Sequence, residues 1–363
     1  MFKNHIFAIF SAALLLLSVS VQAQERLQLD ESNVKVEDRT SQTQQNALQQ
    51  ALRNVVLKNA GSQSVLSNPT IASAIKSPTN FIRQFGYQEN EGQLYLHVSF
   101  DLQKVVRLLR DAQLPVWGTQ RPLTLFWLVQ DEDERTILND ESTTETRAFI
   151  RELAGERGVP TLLPIMDLDD RMKITANDVR GMFVDHVVNA SARYGTDYFV
   201  MASIEPSDNG ERRSYTMALY PVRGDNALFT PLTQASGAAA DTDSALEQIY
   251  SAISEYYAGR YAVADTGESL MTQLNFVQIT ERKQLVDIEH YLGQLTAVKR
   301  VTLTRLQGDS AIFSLQLFGT EADLSRLLNL ESKVKRQSNS RSVDQDPLTS
   351  SQNDVANYIW LGQ

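Results

Sequence analysis

The chain has no cysteine among its 363 residues. Disulfides are excluded, and so is a lipid carried on an amino-terminal cysteine. Stability must therefore come from packed cores. Histidine is nearly absent too. The three beyond residue 23 are His97, His186 and His290, and none has a second histidine at ligand spacing, so a zinc site is not expected. No apolar run beyond residue 23 approaches the length of a transmembrane helix. Positive charge is in deficit: 34 Lys and Arg stand against 44 Asp and Glu, a formal charge of −10. That balance argues against general nucleic-acid binding. Gly-x-Gly-x-x-Gly, the P-loop and Gly-x-Ser-x-Gly are all missing, and with them the usual nucleotide and serine-hydrolase signatures.

What is present begins at the amino terminus. "MFKNH" carries Lys3 and no acid, "IFAIFSAALLLLSVS" is an apolar run, and "VQA" ends it with small residues at Val21 and Ala23. This is the pattern of a secretory signal cleaved after Ala23, and the run is short for a span that stays. A retained anchor is the alternative. Cleavage removes only Lys3 from the charge count, leaving 33 basic against 44 acidic residues and a formal charge of −11. The expected address is the periplasm, with no stable membrane anchor.

The mature length calls for two or three domains. Three modules in series are expected: an α+β unit over 24–113, a Pro/Trp linker over 114–121, a mixed α/β unit over 122–265, and a βαββα unit over 266–331 resembling half of a ferredoxin-like fold. In the first, Ser41 and Gln44 have capping-box spacing. Leu48, Leu52 and Val55 form a helical stripe, and Gly61 stops it. "LYLHVSF" alternates as a strand does, and Asp101 can cap a helix through Leu109. In the second, "LTLFWLV" reads as a strand covered on both faces. A polar helix (143–156), the strand "PTLLPI" and a helix from Thr175 to Tyr194 follow. "YFVMASI" and "SYTMALY" then form a hairpin at Asn209-Gly210. In the third, "LNFVQI" is a strand, Leu285, Ile288, Leu292 and Leu295 mark a helix, and a hairpin turns at Gly308-Asp309 before a short helix from Thr320. Residues 332–363 are polar and expected to be disordered, except for an apolar tip, Tyr358, Ile359, Trp360 and Leu361. That tip reads equally as a clasp on its own chain and as a motif for a partner.

No residue is assigned a catalytic role and no cofactor is expected. Asp131 and Asp133 follow an apolar strand and precede Thr136, an order that resembles the first motif of haloacid-dehalogenase-type phosphatases. That resemblance implies a nucleophile and a general acid/base. The chain departs from it at Gln130 and Glu134, and Lys173 follows an acidic loop. Asp167 and Asp169 approach an EF-hand spacing, but Asp170 breaks the alternation and no glycine follows. Asp131, Asp133, Asp167 and Asp169 are thus the only candidates for a divalent-ion site; the other reading is an acidic, solubilising rim. Ser73 and Lys76 spell Ser-x-x-Lys without its companion Lys-Thr-Gly.

The stretch "LPVWGTQRPLTLFWL", from Leu114 to Leu128, holds two of the three tryptophans. Pro115 and Pro122 stiffen it. Trp127 reads as core, while Trp117 and Arg121 lie in the linker and are candidates either for filling a cleft between modules or for recognising a partner. "LPVWG…RP…W", with the signal and the Ala-Leu-rich first helix, resembles an exported proteobacterial family catalogued only as a domain of unknown function, which implies no activity. "ARYGTDYFVMASI" is similar to a segment in the amino-terminal domain of the Tol system's propeller protein and of curli-export and penicillin-binding-protein-activator lipoproteins. The third module resembles small βαββ domains of envelope secretion and division machines. These resemblances imply a noncatalytic envelope adaptor or assembly factor with a protein partner and no small-molecule ligand. The alternative is a hydrolase or metal-dependent enzyme using the acidic loops of the second module.

Overall fold

The computed structural model describes residues 27–90, 92–131, 135–207, 210–223, 230–268, 270–330, 333–337 and 356–362. The expected signal segment, Asp133 and residues 338–355 lie outside the described residues.

The first module is a three-stranded antiparallel sheet backed by helices. Its elements are β1 (Glu31–Lys35), α1 (Ser41–Ala60), α2 (Pro69–Lys76), β2 (Ile82–Asn90), β3 (Gln93–Phe100) and α3 (Leu102–Asp111), with β3 central in the sheet. Leu96, Val98 and Phe100 alternate toward Ala51, Leu52, Val55 and Val56 of α1 and Val105 and Leu109 of α3. The cap of α1 is Thr40, whose side chain accepts from the Thr43 N–H; the expected box at Ser41 and Gln44 is one residue out. Asp101 caps α3 as expected.

The second module is a sheet in the order β5–β4–β7–β8–β9, with β6 paired to β4. Its strands are β4 (Thr124–Asp131), β5 (Arg135–Ile137), β6 (Thr161–Leu162), β7 (Tyr198–Pro206), β8 (Arg213–Pro221) and β9 (Thr233–Ala239). β4 runs parallel to β6 and β7, and β8 and β9 continue antiparallel. Both faces are covered, which is why "LTLFWLV" is apolar throughout. Leu125, Trp127 and Val129 face one layer, made by α6 (Ala176–Arg180) and α7 (Val184–Ser191). Phe126 and Leu128 face the other, made by α4 (Glu145–Arg157) and α8 (Thr242–Tyr261).

Two expectations are corrected here. The helix expected over 175–194 is broken. Thr175 and Asp178 form the capping box, but the chain turns at Gly181 and at Met182, whose φ is 55°, before α7 resumes. A Cβ on Gly181 would stand 2.9 Å from the Asn177 carbonyl. The sequence reading also places no helix over 242–261, although α8 is among the longest helices of the described residues. Its signal is legible afterwards: Asp241 caps it, and Leu246, Ile249, Tyr250, Ile253 and Tyr257 lie on one face.

The third module keeps the expected βαββα order: β10 (Leu270–Val277), α9 (Arg282–Gln294), β11 (Val298–Gln307), β12 (Ser310–Leu317) and α10 (Glu321–Leu330). It then adds two strands, β13 (Val334–Arg336) and β14 (Ala356–Trp360), giving a five-stranded sheet β11–β12–β10–β14–β13. Residues 332–363, expected to be disordered with an apolar tip, include two paired strands among the described residues: the tip belongs to β14, and β13 corrects the expectation for 334–336. The modules are also less separate than beads on a string. One buried cluster runs from Phe126 and Tyr257 of the second module to Phe276, Phe313 and Tyr358 of the third.

Candidate functional site

The linker 114–121 lies where all three modules meet. Val116 bridges to Val263 through paired backbone hydrogen bonds, and the Trp117 N–H donates to the Asn59 carbonyl at 2.7 Å. Trp117 is fully buried, with its ring 6.1 Å from that of Tyr257 on α8. Glycines admit this contact. Gly61 ends α1 at φ 74°, and a Cβ there would stand 2.4 Å from the Ala258 Cβ and 3.0 Å from the Trp117 ring. Gly158 ends α4 at φ 66°, and a Cβ would stand 2.3 Å from the Arg121 guanidinium.

Arg121 is the tie. Its guanidinium stacks 3.8 Å from the centroid of the Trp117 ring and donates to four carbonyls: Gly118 at 2.8 Å, Gly158 at 2.7 Å, Lys58 at 2.8 Å and Trp117 at 2.8 Å. Two of those carbonyls close the carboxyl ends of α1 and α4, where helix dipoles favour a cation. Burial pushes its pKa down to about 9, so it remains charged at neutral pH. Beside it the Lys58 ammonium donates to the carbonyls of Gln28 and Glu31, at 2.9 and 2.8 Å. Burial, and then the Arg121 charge, hold Lys58 at about 8. On the far side, Arg110 of α3 donates to the Thr296 carbonyl at 2.9 Å and stacks 3.6 Å over Phe318. The sequence reading found Trp117 and Arg121 but not Lys58, Arg110 or Tyr257. Only the fold brings α1, α8 and the third module to one point.

The acidic loops are arranged differently. Asp131 ends β4, with its side chain outside the described residues. Asp167 caps α5 (Leu168–Lys173), and Asp169 lies in its first turn. Arg193 grips Asp167 in a two-pronged contact at 2.7 and 2.8 Å and reaches Asp170 at 3.2 Å, with Asp169 at 4.0 Å. That grip holds the Asp167 carboxyl at about 2, well below its ordinary range. Asp170 is buried; it accepts from the Met166 N–H at 3.0 Å and from the Tyr194 hydroxyl. Tyr194 packs edge-on against Trp127, 6.0 Å away. Here carboxylates serve as local ties. Among the described residues no group of three or more His, Asp or Glu is placed to hold a metal ion.

The remaining candidates are placed as follows. His97 bonds Asn33 at 2.8 Å, His186 bonds Asp178 at 2.7 Å, and His290 bonds Gln294 at 2.7 Å. Ser73 and Lys76 lie on α2. Tyr358 is buried against Phe276, and Trp360 packs on Tyr291 at 5.4 Å. Ile359 pairs with Val277 across the strands, and Leu361 is exposed. Two clefts open at the surface. One, of about 450 Å³, is lined by Asn177, Ser203, Ser214 and Thr216 and includes the Arg180–Glu205 ion pair. The other, of about 260 Å³, lies between Tyr198, Arg260 and Tyr261 of the second module and Arg326 and Asn329 of the third. The sequence reading also missed the apolar side chains left in solvent around α5: Ile165 is 46% exposed, Leu168 71% and Met172 70%.

These features define a multi-module α/β protein whose conspicuous side chains are spent on internal ties. Residues 23–118 match a family described as a domain of unknown function, DUF8605. Residues 270–343 match a second family, DUF2066. The resemblance to a domain of unknown function is borne out over the first of these stretches, which ends with the LPVWG segment. Neither match extends into 119–269. No curated protein matches the chain. Among solved structures, the LpoB C-terminal domain from Salmonella enterica aligns at 14% identity over 33% of this chain and 83% of that one, with a TM-score of 0.21. A formyltetrahydrofolate deformylase from Burkholderia mallei aligns at 10% identity over 53% and 88%, with a TM-score of 0.16. At such TM-scores neither likeness carries an argument. No helix among the described residues is long and apolar enough to cross a membrane.

Proposed function

We propose that this chain is a noncatalytic protein of the cell envelope, exported to the periplasm, that works by docking a protein partner on the second module. Export is supported by the leader-like residues 1–23. The observation that carries the docking reading is the exposed pair Leu168 and Met172, one turn apart on α5, with exposed Ile165 just ahead of the helix. Asp169, Arg171 and Lys173, all exposed, put charge on the same short helix. An apolar centre with a polar rim is the usual anatomy of a protein interface. Of the six interaction candidates read from the sequence, Trp117 and Tyr358 are buried and Leu361 is exposed.

A photo-crosslinking residue at position 168 or 172, in living cells, is expected to give a discrete adduct that one at the exposed Gln42 does not. Leu168→Asp with Met172→Asp is expected to leave melting unchanged and abolish the cellular phenotype. An intact phenotype in that double variant overturns the docking reading. Loss of phenotype in a folded Asp131→Asn or Asp133→Asn variant would instead favour an enzyme.

A further inference from the structure

The cleft of about 450 Å³ lies at the carboxyl end of β7, which runs parallel to β4 in the second sheet. Open α/β sheets bind ligands at that end of their strands. The sheet face beneath it changes character along its length. Phe199 and Met201 of β7 pair with Tyr220 and Ala218 of β8, and all four belong to the buried cluster with Val179 and Val187. The same two rows continue as Ser203 and Glu205, paired with Thr216 and Ser214, and these four line the cleft. α6 supplies Asn177 and Arg180 to the opposite wall and then stops, because the chain turns at Gly181 and Met182. The turn sets the exposed ring of Phe183 against Gly181, which is itself part of the lining.

The groups in this cleft fit one class of ligand. Arg180 donates to both oxygens of Glu205, one of them at 3.0 Å, so the lining carries no net charge. That disfavours an anion or a cation. Apart from Tyr215, the lining side chains are polar or absent, which disfavours an apolar ligand. Hydrogen bonding is what the cleft offers. The buried Ser203 hydroxyl lies 2.9 Å from that of Thr216, and one bond between two hydroxyls leaves a donor hydrogen and several lone pairs unspent. The Asn177 amide and the Ser214 hydroxyl have no hydrogen-bond partner among the described residues. The ion pair also fixes a carboxylate in place, an acceptor for hydroxyl donors. A sugar has the matching chemistry: no charge, several hydroxyls that each donate and accept, and C–H faces that pack on an exposed aromatic ring. We propose that this cleft binds a neutral carbohydrate. Its volume falls in the range of small-ligand sites, about 300–1,000 Å³. The assignment departs from the expectation that the chain takes no small-molecule ligand.

The test is an array of neutral, phosphorylated and sulfated oligosaccharides probed with the whole protein, followed by titration calorimetry with the best-bound sugar. A neutral oligosaccharide is expected to bind saturably, with no gain from phosphate or sulfate. Thr216→Val keeps shape and strand preference and removes one hydroxyl. Asn177→Leu removes the amide from an exposed position on α6. Each is expected to weaken binding about tenfold at an unchanged melting temperature, the effect of one lost hydrogen bond, while Gln42→Ala leaves it intact. Asn177→Leu decides the matter should Thr216→Val fail to fold. No neutral sugar bound, tighter binding of the charged forms, or parental affinity in both variants overturns the proposal. The docking reading is tested at Leu168 and Met172 and is untouched by any of these results.

Discussion

Trp117 shows how a residue that looks like a recognition site is used up in packing. It is fully buried, and its indole N–H has no hydrogen-bond partner among the described residues. Its contribution is therefore contact area, stacking and shape. Trp117→Ala should cost roughly 3–5 kcal/mol in denaturant unfolding, whereas Trp117→Phe, which loses volume but no hydrogen bond, should cost clearly less. Lys58 gives a pH-dependent counterpart. Its folded pKa of about 8 lies below the ordinary 10.5. Between those values the unfolded chain binds more protons than the folded one, so stability rises with pH. The penalty of the buried ammonium is present in full below about pH 8 and is relieved above it. Compared with Lys58→Met, the parent should gain about 2 kcal/mol between pH 7.5 and pH 10, read from paired urea titrations. A flat difference would mean that the ammonium stays charged in its carbonyl cage throughout.

Among elements, β14 has the most direct consequence. Its five residues bury Tyr358 and half-cover Trp360. Deleting residues 357–363 exposes the edge of β10 and leaves β13 without its partner. A loss of about 3 kcal/mol, and a lower melting temperature for the purified protein, are expected. Unchanged melting would mean that the strand contributes nothing to the fold. The break between α6 and α7 was not legible for a local reason. The apolar spacing of Val179, Phe183, Val187 and Ala190 suits one continuous helix, and only the left-handed turn at Met182 ends it. Phe183, which a continuous helix would turn inward with Val179 and Val187, is exposed as a result.

For the whole molecule, the shared core decides how many units unfold. Phe126, Tyr250 and Tyr257 belong to the same buried cluster as Leu292, Phe313 and Leu327. The first module has its own cluster, around Leu52 and Val98. The second and third modules are therefore expected to lose structure in one transition. Native-state hydrogen exchange checks this: amides of β7 and β12 should open with the same free energy. Markedly different opening energies would show that they are independent domains after all.

The sequence by itself determined what depends on short-range pattern and composition. Alternation fixed β3, the continuous apolar run fixed β4 as a two-sided strand, and Gly61 and Asp101 marked helix ends, because periodicity and capping are local physics. It also pointed to Trp117 and Arg121 as a joint. Tertiary structure alone decided that Arg121 would find the carbonyls of Lys58 and Gly158, which are distant along the chain. It decided that Arg193 would take up Asp167, and that the apolar tip would become a strand beside β10. A few apolar residues at a chain end carry no periodicity to read, and their fate depends on whether an edge of matching shape lies within reach.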